Sequence, residues 1–109
     1  MQTANKTITT FTVGASTAYF RVGGYINITA IATDVIQLQI TYTDENNTSQ
    51  TKAFYNQGTT TPGLSVLGNS SFPTMDIHCK NGTAITVSAI LTTSSGTITY
   101  DCGARIQQL

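Results

Sequence analysis

Thr83-Ala-Ile-Thr-Val-Ser-Ala-Ile-Leu-Thr-Thr-Ser-Ser-Gly-Thr-Ile-Thr-Tyr-Asp-Cys-Gly-Ala-Arg-Ile-Gln107 alternates apolar residues with small polar ones over most of its length. Side chains on a strand point to opposite faces in turn, so this period of two predicts strands with one dry and one wet face. Ser94-Ser95-Gly96 reads as the turn between two of them. Ile85, Val87 and Ala89 are expected inward on the first, followed by Leu91, and Ile98, Tyr100, Cys102, Ala104 and Ile106 on the second. The wet face carries Thr and Ser instead of Lys and Glu, a choice that recurs throughout the chain.

The same alternation extends outward to the N-terminus. Thr7 to Val13 predicts a strand offering Ile8, Phe11 and Val13 for burial. Ala18 to Ala32 predicts a longer one, with Phe20, Val22, Ile26, Ile28 and Ala30 inward and Tyr19, Arg21, Tyr25, Asn27 and Thr29 outward. Its Gly23-Gly24 pair marks a bulge or a close backbone approach. Val35 to Thr43 places Ile36, Leu38, Ile40 and Tyr42 inward and Gln37, Gln39 and Thr41 outward. Asp44-Glu45-Asn46-Asn47 has the composition of a hairpin tip, and Thr48 to Tyr55 returns from it. Asn56 to Asn69 reads as loop, with a Pro62-Gly63 turn and a short strand at Leu64, Val66 and Leu67. Met75 to Lys80 follows Phe72-Pro73, with Met75, Ile77 and Cys79 inward, and Asn81-Gly82 is a hairpin signal. Eight or nine short strands without a helix predict an all-β fold, a two-sheet antiparallel jelly-roll sandwich. Residues 1–9 are expected to form an arm or first strand, and 10–109 a single jelly-roll domain.

A chain of 109 residues has the size of one domain, and 39% hydrophobic residues suffice for one core. Charged residues make up only 9% of the chain, against ~25% in typical proteins. With a net charge of zero, no field gathers nucleic acid or an anionic membrane. Nor is any apolar run long enough to span a bilayer. The polar start Met1-Gln-Thr-Ala-Asn-Lys-Thr lacks the apolar region of a secretory signal, so synthesis in a cytoplasm is expected. Asn-x-Ser/Thr triplets such as Asn27-Ile-Thr29 follow from a composition rich in Asn and Thr, and are not read as glycosylation sites.

The order of strands resembles the jelly rolls of the tumour-necrosis-factor and complement-head superfamily. Ala18-Tyr-Phe-Arg-Val-Gly-Gly-Tyr-Ile-Asn-Ile-Thr29 is similar to their aromatic, Gly-bearing core strand, and the stretch from Asn81-Gly-Thr to the C-terminus is similar to their closing pair. Tyr19 to Ala30, Val35 to Asp44, Phe72 to Ile77 and Ile98 to Ile106 resemble more closely a small domain of bacteriophage and prophage structural proteins. The resemblance covers residues 10–109. It implies a non-enzymatic virion structural protein, made in the host cytoplasm. This would be a homotrimeric capsid decoration or head-fibre module contacting other virion proteins. A receptor-binding or carbohydrate-binding module that meets a host-surface glycan at a fibre tip is the alternative.

The chemistry-bearing residues are few. His78 shares a strand face with Asp76, a solvated pair without a Gly-x-Ser-x-Gly elbow or other nucleophile motif nearby. Cys79 and Cys102 are expected on strands of one sheet with a third strand between them. Two strand spacings, about 9.5 Å, exceed the reach of a disulfide. They read as small core hydrophobes, and with His78 pointing away from Cys79 no metal or cofactor site is expected. Asp44 to Asn47 could offer oxygens to calcium, but lacks a dedicated ligand spacing. Arg21 with Asp101, and Arg105 with Asp34, are candidate ion pairs. The outward aromatics Tyr19, Tyr25 and Tyr55 suit a subunit interface, sugar stacking or packing under loops, with the interface favoured. Tyr19, Tyr25, Gln37 and Gln39 are the candidate interface residues.

Overall fold

Period-two patterning builds seven strands and no helix among the residues that the computed structural model describes, namely 4–30, 35–54, 68–93 and 98–109. In chain order they are β1 (Lys6–Thr12), β2 (Ala18–Ala30), β3 (Val35–Thr43), β4 (Ser49–Ala53), β5 (Gly68–Cys79), β6 (Ala84–Thr93) and β7 (Thr99–Gln108). One sheet runs β1-β6-β3-β4 and the other β5-β2-β7, with every neighbouring pair antiparallel. The expected all-β, two-sheet antiparallel sandwich is what the chain forms.

The pairings are nested. β1 pairs with β6, β2 with β5 and β3 with β4, as though one long hairpin with its tip between β3 and β4 had been rolled up. Rolling a hairpin in this way is the jelly-roll path, and it sends most connections from one sheet to the other. Only β3 and β4 are consecutive neighbours in a sheet; their tip is the expected Asp44 to Asn47 turn, with Asn47 at φ 63°.

That path corrects one hairpin expectation. Asn81-Gly82 is a tight turn, with Gly82 at φ 75°, but it leads from β5 in one sheet to β6 in the other. The Gly82 N–H donates to the carbonyls of Val13 and Gly14, at 3.0 and 3.1 Å, so the turn is pinned to the end of β1. β6 and β7 likewise lie in opposite sheets, and their expected Ser94-Ser95-Gly96 turn lies outside the described residues. So do Asp34, Tyr55, Pro62-Gly63 and the short strand expected at Leu64 to Leu67.

The core lies between the sheets. Phe20, Val22, Ile26 and Ile28 of β2 meet Ile36, Leu38, Ile40 and Tyr42 of β3, with Ile77 and Cys79 of β5, Ile85, Val87 and Ala89 of β6, and Ile98 and Tyr100 closing it. Burying each large apolar side chain contributes about 1.5–3 kcal/mol. The inward assignments hold for these residues, and the half-buried Ile8, Met75, Leu91, Cys102, Ala104 and Ile106 pack against the cluster. Two expectations of burial fail. Ala30 is exposed at the end of β2. Phe11, on the edge strand β1, overhangs the sandwich 41% exposed and packs on Phe20 with ring centroids 5.5 Å apart.

β5 is longer than expected. It begins at Gly68, and Phe72-Pro73 lies within it because the register shifts between Val22 and Gly24 of β2, opposite Met75 and Phe72. A proline donates nothing to a ladder, which suits a bulge on an edge strand. The Gly23-Gly24 pair fulfils both of its expected roles. It sits at that bulge, and a Cβ on Gly24 would come 2.6 Å from the Gly103 carbonyl oxygen of β7.

Candidate functional site

β2 is the middle strand of its sheet, so its outward residues form the spine of an exposed face flanked by β5 and β7. Register decides who meets whom. Arg21 stands opposite Asp76 and Tyr19 opposite His78 on β5, while Tyr25 stands opposite Gly103 on β7. Arg21 donates two hydrogen bonds to the Asp76 carboxylate, at 2.9 and 3.2 Å. The bond to Arg21 holds the Asp76 carboxyl below its ordinary range, and Asp76 in turn raises Arg21. Both groups are exposed, so solvent and salt screen this pair. Arg21 is therefore matched with Asp76 and not with Asp101, which lies opposite Asn27. Arg105 and Asp34 cannot be compared, because Asp34 is outside the described residues.

His78 is stacked, not paired with Asp76. Its ring lies 4.1 Å from that of Tyr19 at 7° between planes, and Nδ1 is 3.5 Å from Glu45 Oε2. Next to it Cys79 turns into the core, where burial pushes the thiol up to about 11. A protonated, enclosed thiol is a poor nucleophile. Cys79 and Cys102 are free, and they sit on β5 and β7 with β2 between them, the separation expected from sequence.

The Asp44 carboxylate is occupied by its own turn. It accepts from the backbone N–H groups of Asn46 and Thr48 and from the Gln50 amide, at 3.0, 2.9 and 2.9 Å. Those bonds hold its carboxyl below the ordinary value. Among the described residues no group of three or more His, Cys, Asp or Glu is placed to hold a metal ion.

Midway along the β5-β2-β7 face the wall of side chains breaks. Gly23 and Gly103 leave a trough of about 360 Å³ walled by Tyr25, Arg21, Thr74, Arg105 and Gln107. The Tyr25 ring lies across Gly103, where an added Cβ would come 2.5 Å from its Cε1. Sequence reasoning found Tyr25 but missed the trough, since nothing within one strand shows that Gly103 will lie beside Tyr25.

The opposite outer face, over β6 and β3, is chemically different. Alternation turns Thr86, Ser88 and Ile90 outward beside Gln37, Gln39, Thr41 and Thr43, a carpet of short side chains without a charge. The structure thus divides the four candidate interface residues between two faces. Tyr19 and Tyr25 stand on one, Gln37 and Gln39 on the other.

No protein-family model, curated protein or solved structure matches the chain.

Proposed function

We propose that this protein is a non-enzymatic structural module that works by contact, as a homotrimer attached to other proteins of a bacteriophage particle, in the role of a capsid decoration or head-fibre domain. The observation that carries the reading is the pair of unlike outer faces. A three-fold contact is heterologous: one patch of a subunit meets a different patch of the next. A tyrosine-walled, indented face and a flat uncharged face are suited to such a contact, and the division of Tyr19 and Tyr25 from Gln37 and Gln39 is then what a trimer needs. The low charge fits the same role. A face covered by a neighbour has no use for the charged groups that keep free monomers apart.

Light scattering at micromolar concentration tests the trimer. Three times the 11.6 kDa subunit mass is the expected result, and 11.6 kDa overturns it. Attachment to the particle is tested by locating the domain in a density map of the parent virion.

The trough favours a second reading. An exposed tyrosine ring beside an arginine and a glutamine has the apolar platform and polar rim with which proteins hold sugars. On that reading Tyr25→Ala abolishes binding to host cells while leaving the subunit mass in solution unchanged.

A further inference from the structure

The nested pairing leaves one strand without its counterpart. β1, β2 and β3 take β6, β5 and β4, while β7 has β2 on one side and, among the described residues, no strand on the other. In an eight-stranded jelly roll an eighth strand would lie there. The other three sheet edges are guarded in the ways proteins use against unwanted pairing. β1 carries Lys6 and a register shift, β4 is five residues long with Lys52 in it, and β5 carries Pro73 at its bulge. β7 has no Lys or Pro and keeps a regular register from Tyr100 to Gln108. The core is also open beside it: Ile98 and Tyr100 are wholly buried, whereas Cys102, Ala104 and Ile106, on the same face, are half-buried.

We propose that the outer edge of β7 is a docking site for the β7 strand of a second copy of this chain, paired antiparallel about a two-fold axis at Gly103. The ladder parity permits this axis. The Leu109 N–H donates to the Tyr19 carbonyl at 3.0 Å, so odd-numbered residues bond to β2 and even-numbered ones direct their N–H and C=O outward. With the axis at Gly103, Cys102 faces Ala104 of the second copy, and Tyr100 faces Ile106, all of them outward-bonding residues. The sequence selects the same axis. Asp101 comes opposite Arg105 of the second copy, twice by symmetry, at a non-hydrogen-bonded position where side chains are closest. Moving the axis to residue 101 or 105 sets like charges against each other; moving it to 102 or 104 leaves both charges opposite uncharged residues. The charges on this edge are self-complementary in one register. The contact uses the edge of a sheet, whereas the proposed trimer uses faces, so either can fail without the other.

The test is a designed cross-link. Directly paired residues have Cα atoms about 5.5 Å apart, within disulfide reach. Ala104→Cys, with native Cys102 present, is expected to give a covalent dimer under mild oxidation, and the same substitution with Cys102→Ala is not. A charge-reversal series supplies a second readout in sedimentation. Asp101→Arg and Arg105→Asp should each weaken self-association about tenfold, and the double reversal should restore it. Absence of the cross-link together with self-association indifferent to both reversals overturns the proposal. So does an edge already covered by a segment of a longer parent chain, seen as monomers that do not cross-link.

Discussion

The ring of Tyr25 on β2 lies across Gly103 on β7, close enough that a Cβ on the glycine would come 2.5 Å from Tyr25 Cε1 and 3.1 Å from Cζ. The absence of a side chain at position 103 is what lets Tyr25 lie down, and its ring in turn covers backbone that a glycine leaves bare. Gly103→Ala is therefore expected to destabilise the fold by about 1 kcal/mol as the ring is forced off the strand. With Tyr25→Ala already in place the sign should reverse. The methyl then has room, and replacing a strand glycine gains about 0.5–1 kcal/mol of backbone entropy. A double-mutant cycle by urea unfolding reads the coupling, and additive effects would refute the contact.

Acid and alkali act on different groups. Asp76 and Asp44 have folded values below the ordinary 3.8, so the stability they supply is present above about pH 4 and is lost as pH falls below it. Cys79 and Tyr100 are the reverse. Burial lifts Cys79 from 9.0 to about 11 and Tyr100 from 10.0 to about 12, so unfolding lets them ionise more readily. Their contribution is complete below pH 9 and declines as pH rises toward 12. Unfolding midpoints should be level at neutral pH and fall on both sides. Cys79→Ala, at a cost of about 1–2 kcal/mol for the truncated core side chain, should flatten the alkaline limb. An unchanged limb would remove Cys79 from this account.

The Asp44 turn offers a direct check on the calcium question. One carboxylate oxygen serves two backbone N–H groups and the other the Gln50 amide. Asp44→Ala leaves all three donors without this acceptor and should speed amide exchange at Asn46 and Thr48 and lower the melting temperature. Asp44→Asn, which keeps one carbonyl acceptor, should do less. Millimolar calcium should leave the melting temperature unchanged, because binding would have to displace these bonds. A rise with calcium would show that the loop is a ligand set.

What could be read from the sequence was the facing of each strand, because alternation is local. Ile36, Leu38 and Ile40 needed only one another to announce a buried face, and so did Ile85, Val87 and Ala89. Partnership between strands was not legible. The Asn81-Gly82 turn serves equally well inside a hairpin or across a sandwich, and only the packing of the whole roll assigns it to the second. Arg21 had Asp101 and Asp76 available, and the choice came from the register of β2 on β5, itself set by the Pro73 bulge. For the same reason the trough stayed hidden, since it is lined by Gly23 and Gly103, eighty positions apart, which the β2–β7 register brings to one face two pairs from each other.

Salt should separate the two contacts proposed for this chain. The face over β6 and β3 presents Gln, Thr, Ser and one Ile, and the opposite face meets it with tyrosine rings and a glycine-floored trough that Arg21 and Arg105 help to wall. The uncharged face offers those cations no opposite charge, so the contact gains mainly from apolar area and neutral hydrogen bonds, neither of which is screened. The trimer is thus expected to sediment identically in 50 mM and 1 M sodium chloride, although the higher concentration shortens the screening length to about 3 Å. Pairing along β7 depends on two Asp101–Arg105 charge pairs, with Asp101 half-buried and Arg105 exposed, and should weaken over the same range. Gln39→Lys, which sets a charge in the uncharged face, should dissociate the trimer and leave edge pairing intact. Asp101→Arg, outside the trough walls, should do the opposite. Trimers that come apart in high salt, or that tolerate a lysine at position 39, would show that the uncharged face is not buried between subunits.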